Sequence, residues 1–355
     1  MAHRVFVGLS GGVDSAVSAA LLKERGLDVV GVFIKIWQPE FYECTWKEDR
    51  LDAMRVAVAL GIPFREVDFS EEYKRDVVER MIQDYKHGIT PNPDVLCNRH
   101  IKFGAFAEWA RHEGAEGVAT GHYARIRQRG GHRELLRGAD RAKDQSYFLY
   151  RLNQRDLARA AFPVGNLTKA QVRGRAKHLK LSVAGKPDSQ GLCFVGDVSL
   201  KDFLARYIPL ERGCVEDMSG RVVGEHSGAV LYTVGQRHGF DLSDARMRET
   251  PCYVVGIDTA SNTIRVSPER ADATRKKVRL RDENWIAGLP RLPLAVLAQT
   301  RHRGNPVAAT ISREGTALVA SFNEPQIAAA GQSIVFYKSV QGDAGDVVLG
   351  GAVMG

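Results

Sequence analysis

Three short stretches of this 355-residue chain hold residue types that could act together on a substrate. The first is Gly8-Leu9-Ser10-Gly11-Gly12-Val13-Asp14-Ser15, between an apolar run and an amphipathic one. Glycines there let the backbone approach an anion and present successive N–H groups, and a following helix N-terminus adds positive potential. Ser10 and Ser15 add hydroxyl donors, whereas Asp14 is suited to orienting the loop or holding Mg²⁺ rather than phosphate. The second stretch is Thr90-Pro91-Asn92-Pro93-Asp94-Val95-Leu96-Cys97-Asn98. Its two prolines stiffen a loop in which Asp94 and Cys97, three residues apart, can face one site with a carboxylate for proton transfer and a thiol. The third is Asp188-Ser189-Gln190-Gly191-Leu192-Cys193-Phe194-Val195-Gly196, a glycine-flanked turn carrying a second thiol.

The elements that must position these residues follow from periodicity. Arg4–Leu9 reads as a strand and 13–25 as a helix with Val13, Val17, Ala20 and Leu21 on one face. Strand-like runs recur at 29–36, 64–68 and 117–120, alternating with helical patterns at 45–61, 71–87 and 102–112, and 88–99 reads as a loop. Such alternation predicts a parallel sheet with helices on both faces. A hairpin about Gly130-Gly131 follows, and Thr168-x-x-Gln171 is a capping box opening another helix. From Gly213 onward short β-type runs dominate, at 230–234, 253–257, 263–266, 307–311, 318–322 and 333–337, as expected of small antiparallel sheets or barrels. The expected organisation is an α/β parallel-sheet catalytic domain at 1–205, a small β-rich central domain at 206–277 and a C-terminal β-barrel at 278–355.

Charge adds a partner class. The formal net charge is +8, but residues 99–180 hold 18 Lys/Arg against 7 Asp/Glu, while residues 1–98 hold 12 against 16. A basic segment beside a mildly acidic one points to a polyanion. No apolar run reaches the roughly 20 residues of a membrane span, so no membrane partner is expected and the chain reads as cytoplasmic. The five cysteines, Cys44, Cys97, Cys193, Cys214 and Cys252, form no C-x-x-C pair. A zinc finger and a disulfide scaffold are thereby disfavoured, no metal site is expected, and a thiol with a role would be a reactive one. The histidines at 3, 87, 112, 178 and 238 have no partners at ligand spacing.

Lacking a lysine after its last glycine, the Gly8–Ser15 loop is not a Walker loop. It resembles instead the S-G-G-x-D-S loop of the PP-loop ATP pyrophosphatases, which cleave ATP between the α and β phosphates. Combined with N-P-D-x-L-C-N at 92–98 and the Cys193 turn, it resembles the tRNA-specific 2-thiouridylase family. Thr120-Gly121-His122-Tyr123-Ala124, Lys143-Asp144-Gln145-Ser146-Tyr147-Phe148, Thr233-Val234-Gly235-Gln236-Arg237, the segment 331–337 and the terminal Gly350-Gly351 match that family in order. The likeness spans the chain.

What the resemblance implies can be set out residue by residue. Gly8, Leu9, Ser10, Gly11, Gly12, Val13, Asp14 and Ser15 would hold the ATP phosphates, with Mg²⁺ accompanying the nucleotide, and the main chain at Ile34 and Gly121 would flank the adenosine. Asn92, Pro93 and Asp94 would contact the target base. His122, Lys143, Asp144, Gln145, Arg301, His302 and Gln332 would touch tRNA, the match around Arg301 and His302 being the loosest. Cys193 would carry sulfur as a persulfide received from a donor protein, Cys97 would be its partner in a transient disulfide, and Asp94 would be the general acid/base. The implied partner is tRNA, not DNA. Two other readings stay open at this point. Another PP-loop ligase, of the amidotransferase or argininosuccinate type, would leave both thiols and the basic segment idle. A non-catalytic RNA-binding protein would leave Ser10, Asp14 and Ser15 unexplained.

Overall fold

The computed structural model describes residues 3–41, 46–188, 199–243, 245–340 and 345–355. Strands β1 (Arg4–Gly8), β2 (Asp28–Lys35), β3 (Phe64–Asp68), β4 (Gly117–Ala119) and the two-residue β7 (Ala160–Ala161) form one sheet in the order β3-β2-β1-β4-β7. Every pairing in it is parallel. Its central strands β1 and β2 are apolar on both faces because both are covered, whereas the edge strand β3 carries exposed Arg65, Glu66 and Asp68. Phe6, Val30 and Val32 pack with Tyr73, Val77, Met81, Ile101 and Phe106 from the helical stretches α3 (70–86) and α4 (93–112). On the opposite face, Val7, Val29 and Phe33 pack with residues of α1 (Val13–Glu24), α2 (Trp46–Leu60) and α5 (Lys169–His178).

The chain moves outward from β1 to β3 and then returns to place β4 on the other side of β1. Strand order therefore reverses between β1 and β4, the place where open parallel sheets leave a crevice for ligands. The glycine loop leaves the end of β1 and Gly121 follows β4, so both lie at this crevice.

Two departures from the sequence reading concern helices. The segment 88–99 is only half a loop, because helix begins at Pro93, where the missing N–H and fixed φ of proline suit the first helical position. From Cys97 to Ala105 that helix widens into π turns. Gly104 makes room for this, since a Cβ there would lie 2.9 Å from the Arg99 carbonyl oxygen. In addition, the apolar 230–234 stretch is not a strand but begins within a 3₁₀ turn at Ala229–Leu231, entered through Gly228 at φ 136°.

The central β-rich region is a five-stranded sheet of β8 (Gly213–Glu216), β9 (Val222–His226), β10 (Phe240–Leu242), β11 (Tyr253–Asp258) and β12 (Thr263–Ser267), in the order β10-β9-β8-β12-β11. It is antiparallel except between β8 and β12. The last six strands are β13 (Thr274–Trp285), β14 (Leu294–Gln299), β15 (Val307–Glu314), β16 (Ala317–Ile327), β17 (Ser333–Lys338) and β18 (Val347–Met354). Pairing of β13 with both β16 and β18 closes them into a barrel. The expected sequence of parallel-sheet domain, β-rich centre and C-terminal barrel is the observed one. The hairpin of β5 (Ala124–Arg129) and β6 (His132–Arg137) leaves the first domain and adds to the barrel sheet, with Leu136 opposite Val347 and Leu135 opposite Val348.

Candidate active site

The glycine loop is shaped by its own short-range bonds. The Ser10 N–H donates to Ser15 Oγ at 3.2 Å, the Ser10 and Ser15 hydroxyls lie 3.2 Å apart, and Ser15 donates to the Gly12 carbonyl at 3.1 Å. Gly11 sits at φ 72°, and a Cβ there would lie 2.8 Å from Asp49 Cα. Gly121 is pressed as closely from β4, since its Cβ would meet the Ser15 nitrogen at 2.7 Å. Ile34 comes from β2, its Cδ1 3.5 Å from where a Gly8 Cβ would lie. The residues assigned to ATP from sequence are thus gathered where β1 and β4 end, and a side chain at Gly11 or Gly121 would force the packed backbone there apart.

Asp14 is held at the loop by residues the sequence reading did not select. The Tyr123 hydroxyl donates to Asp14 Oδ1 at 2.8 Å, and Lys169 Nζ lies 2.8 Å from both carboxylate oxygens. Lys169 also pairs with Asp188 at 2.8 Å, and Asp188 receives Lys143 at 2.7 Å and Arg173 at 2.8 Å. Burial raises the Asp188 pKa, but hydrogen bonds from Lys143 and Lys169 outweigh it and bring the group to about 2. Tyr123 belongs to the Thr-Gly-His-Tyr motif and Lys169 directly follows the Thr168 cap. These were the available signals, but neither says which side chain meets Asp14.

Asp94 and Cys97 stand three apart on α4, hence on one helix face. Cys97 is buried. Burial pushes the Asp94 carboxyl above its usual range, only partly offset by Lys102 and His302. The loop before α4 is fixed by the rest of the chain. Gln332 Nε2 donates to the Thr90 and Pro91 carbonyls, each at 3.1 Å; the Thr90 N–H donates to the Ala330 carbonyl at 3.0 Å; and the Thr90 and Thr233 hydroxyls are 2.9 Å apart. All three regions therefore meet at Thr90. Beside them, Asn92, Pro91 and Leu96 line a polar cavity of about 460 Å³ with Arg75, Arg151 and Arg281.

The other residues expected at RNA occupy two kinds of place. Arg301 is exposed and Lys143 half-buried. His122 is buried between Phe103 and Phe162, 2.7 Å from the Thr120 hydroxyl, and burial lowers its pKa well below the ordinary value. Asp144 is buried too, accepting from Arg137 Nε at 2.6 Å and from the Gly138 and Ser146 N–H groups. Gln145 accepts the Tyr123 N–H at 3.0 Å, and His302 lies against Phe148, its Nε2 3.2 Å from the Asp144 carbonyl. Cys193, Cys44 and Thr45 lie outside the described residues, and so does any Cys97–Cys193 bridge. Cys214 is exposed and Cys252 buried. Among the described residues no group of three His, Cys, Asp or Glu could hold a metal ion, and no helix is long and apolar enough to cross a membrane.

Three family descriptions match along the chain: "tRNA methyl transferase HUP domain" at residues 3–197, "tRNA methyl transferase PRC-barrel domain" at 201–268, and "Aminomethyltransferase beta-barrel domain" at 275–354. Similar curated proteins include a tRNA-specific 2-thiouridylase MnmA of Stenotrophomonas maltophilia (strain R551-3), 46% identical over 99% of this chain and 93% of the relative. That of Acidovorax ebreus (strain TPSY) is 44% identical over 99% and 98%. The tRNA-specific 2-thiouridylase MnmA 2 of Geobacillus kaustophilus (strain HTA426) is 42% identical over 99% and 94%. A distant likeness among solved structures is the U34-tRNA thiolase NcsA from Methanococcus maripaludis, 18% identical with a TM-score of 0.36 over 57% of this chain and 63% of that one. With full-length relatives at this identity, the chain belongs to the tRNA-specific 2-thiouridylase family.

Proposed function

We propose that this protein is an ATP-dependent sulfurtransferase that replaces the C2 oxygen of the wobble uridine of tRNA with sulfur. The observation that carries the reading is identity of 46% along 99% of the chain to a protein of that name. The crevice built from Gly8–Ser15 and Gly121 lies on the same domain as the Asp94–Cys97 helix, which agrees with it. On this reading the domains are 1–205, 206–277 and 278–355, and the protein works in the cytoplasm.

The C2 carbonyl of uracil is a poor electrophile because its oxygen leaves badly. The loop N–H groups and the Ser10 and Ser15 hydroxyls bind the nucleotide phosphates, while Ile34 and Gly121 border the adenosine. Mg²⁺ supplies charge neutralisation when bound with the phosphates, and Asp14 is the loop carboxylate able to reach it. Asp94 accepts the N3 proton as uridine O2 attacks the α-phosphorus and pyrophosphate leaves. The terminal sulfur of a Cys193 persulfide then attacks C2 and AMP departs with the former O2. Cys97 attacks the Cys193 sulfur, leaving the terminal sulfur on the base and a Cys97–Cys193 disulfide, which a dithiol reductant returns to two thiols. In the other order, Cys97 first releases sulfide, which attacks C2. A donor protein renews the persulfide in either case.

Asn92, Pro93 and Asp94 receive the base, and Lys143, Arg301 and the arginines of the neighbouring cavity meet the flanking phosphates. His122, Asp144, Gln145, His302 and Gln332 serve the RNA through the loops they hold. The test is incubation with tRNA, ATP and a persulfide donor, followed by nucleoside mass spectrometry and separation of nucleotide products. 2-Thiouridine with AMP and pyrophosphate is expected, and ADP with phosphate would remove the reading. Cys193→Ser should lose persulfide labelling and thiolation, whereas Cys97→Ser should keep the label but not turn over.

A further inference from the structure

The glycine loop offers phosphate only neutral donors, since residues 8–15 contain no Lys or Arg. Cleavage between the α and β phosphates puts negative charge on the departing pyrophosphate, and neutral N–H groups hold such charge less well than a positioned ammonium does. The fold brings one there from 155 residues away. Lys169 is the first residue of α5, behind a complete Thr168–Gln171 capping box, and its own N–H donates to Asp140 at 2.9 Å. Its Nζ lies 5.8 Å from the centre of the Tyr123 ring. The side chain is 13% exposed, so its position is set by packing and by the two carboxylates it joins.

We infer that Lys169 is the pyrophosphate-binding lysine of this enzyme, with Asp188 occupying, before nucleotide arrives, the coordination that a phosphate oxygen takes. An ammonium has three N–H donors. Those of Lys169 are matched by Asp14 Oδ1, Asp14 Oδ2 and Asp188 Oδ1, all at 2.8 Å. A phosphate oxygen must displace one of them. Asp188 yields most easily because it keeps Lys143 and Arg173, whereas Asp14 would retain only the Tyr123 hydroxyl. Asp188 is therefore a competitor for the pyrophosphate site, and Lys169 is its ligand.

This assignment rests on the proposed α–β cleavage, so its test is binding rather than turnover. Calorimetry with inorganic pyrophosphate and Mg²⁺ on the full chain should show Lys169→Gln about ten- to a hundredfold weaker, the usual loss for a charged hydrogen bond. Adenosine, which has no phosphate, should bind the variant within about twofold of wild type. Asp188→Asn should bind pyrophosphate more tightly than wild type, and it decides the matter if Lys169→Gln fails to fold. Unchanged pyrophosphate affinity in a folded Lys169→Gln, or weaker affinity in Asp188→Asn, would overturn the assignment. Failure of thiolation with pyrophosphate binding behaving as described would refute the acceptor and not the lysine.

Discussion

Replacing Gln332 by Ala removes the two hydrogen bonds by which the barrel holds the Thr90 and Pro91 carbonyls. Each such bond has a net worth of about 0.5–1.5 kcal/mol, so the clamp contributes roughly 1–3 kcal/mol to the placement of the loop ahead of Asp94. If that energy is realised in the transition state, kcat/KM for tRNA falls by about five- to 150-fold. Gln332→Glu is the sharper perturbation, because it keeps the length but turns a carboxylate oxygen toward two carbonyl oxygens. It should be worse than Ala. The assay is steady-state thiolation at varied tRNA, paired with nucleotide binding in the absence of tRNA, which should stay at the wild-type value because the glycine loop is untouched. Wild-type kcat/KM in Gln332→Ala, or Gln332→Glu more active than Gln332→Ala, would refute the clamp as the positioning device. A fall in RNA affinity with kcat unchanged would instead put Gln332 on the RNA itself.

Gly11→Ala should leave the fold intact by circular dichroism but weaken ATP binding at least tenfold. A residue other than glycine at φ 72° costs about 1–2 kcal/mol and its Cβ would lie 2.8 Å from Asp49 Cα, so the loop must shift. Asp94→Asn should abolish thiolation yet raise the melting temperature at neutral pH. Because burial raises the folded pKa of Asp94, the favourable contribution of its neutral form is present in acid and lost as pH rises through that pKa; the difference from Asn should therefore close below about pH 4. Arg281→Glu, at the cavity beside Asn92, should weaken tRNA binding and reduce the slope of log K against log salt by about one, measured by filter binding.

How far the sequence could be read depended on the range of the interactions involved. The glycine loop, the strand before it and the helix after it are local, and so was the Thr168–Gln171 capping box, in which both bonds are present. The helix start at Pro93 is hidden in the sequence because its two prolines read as stiffening a loop, although at the first helical position proline favours a start. The two residues of β7 carry no periodicity and become a strand only beside Val118 and Ala119. The union of Asp14, Lys169 and Asp188 spans more than 150 residues, and nothing in the spacing of three common charged residues announces it. The burial of His122 and Asp144 was likewise invisible, because a motif match ranks residues without saying whether they touch a ligand or the loops around it.

The hairpin that crosses from the first domain into the barrel ties biosynthesis to assembly. Leu135 and Leu136 face Val348 and Val347, which are made about 210 residues later. At about 5–20 residues per second the β6 edge is made on the order of ten to forty seconds before its covering strand. Throughout that interval the catalytic domain carries an open strand edge with two leucines beside it, the kind of surface that recruits other chains. Stopping translation just short of Val347 would therefore leave the glycine loop and the Asp94–Cys97 helix made but the molecule sticky, so that β18 acts as the seal on a newly made barrel.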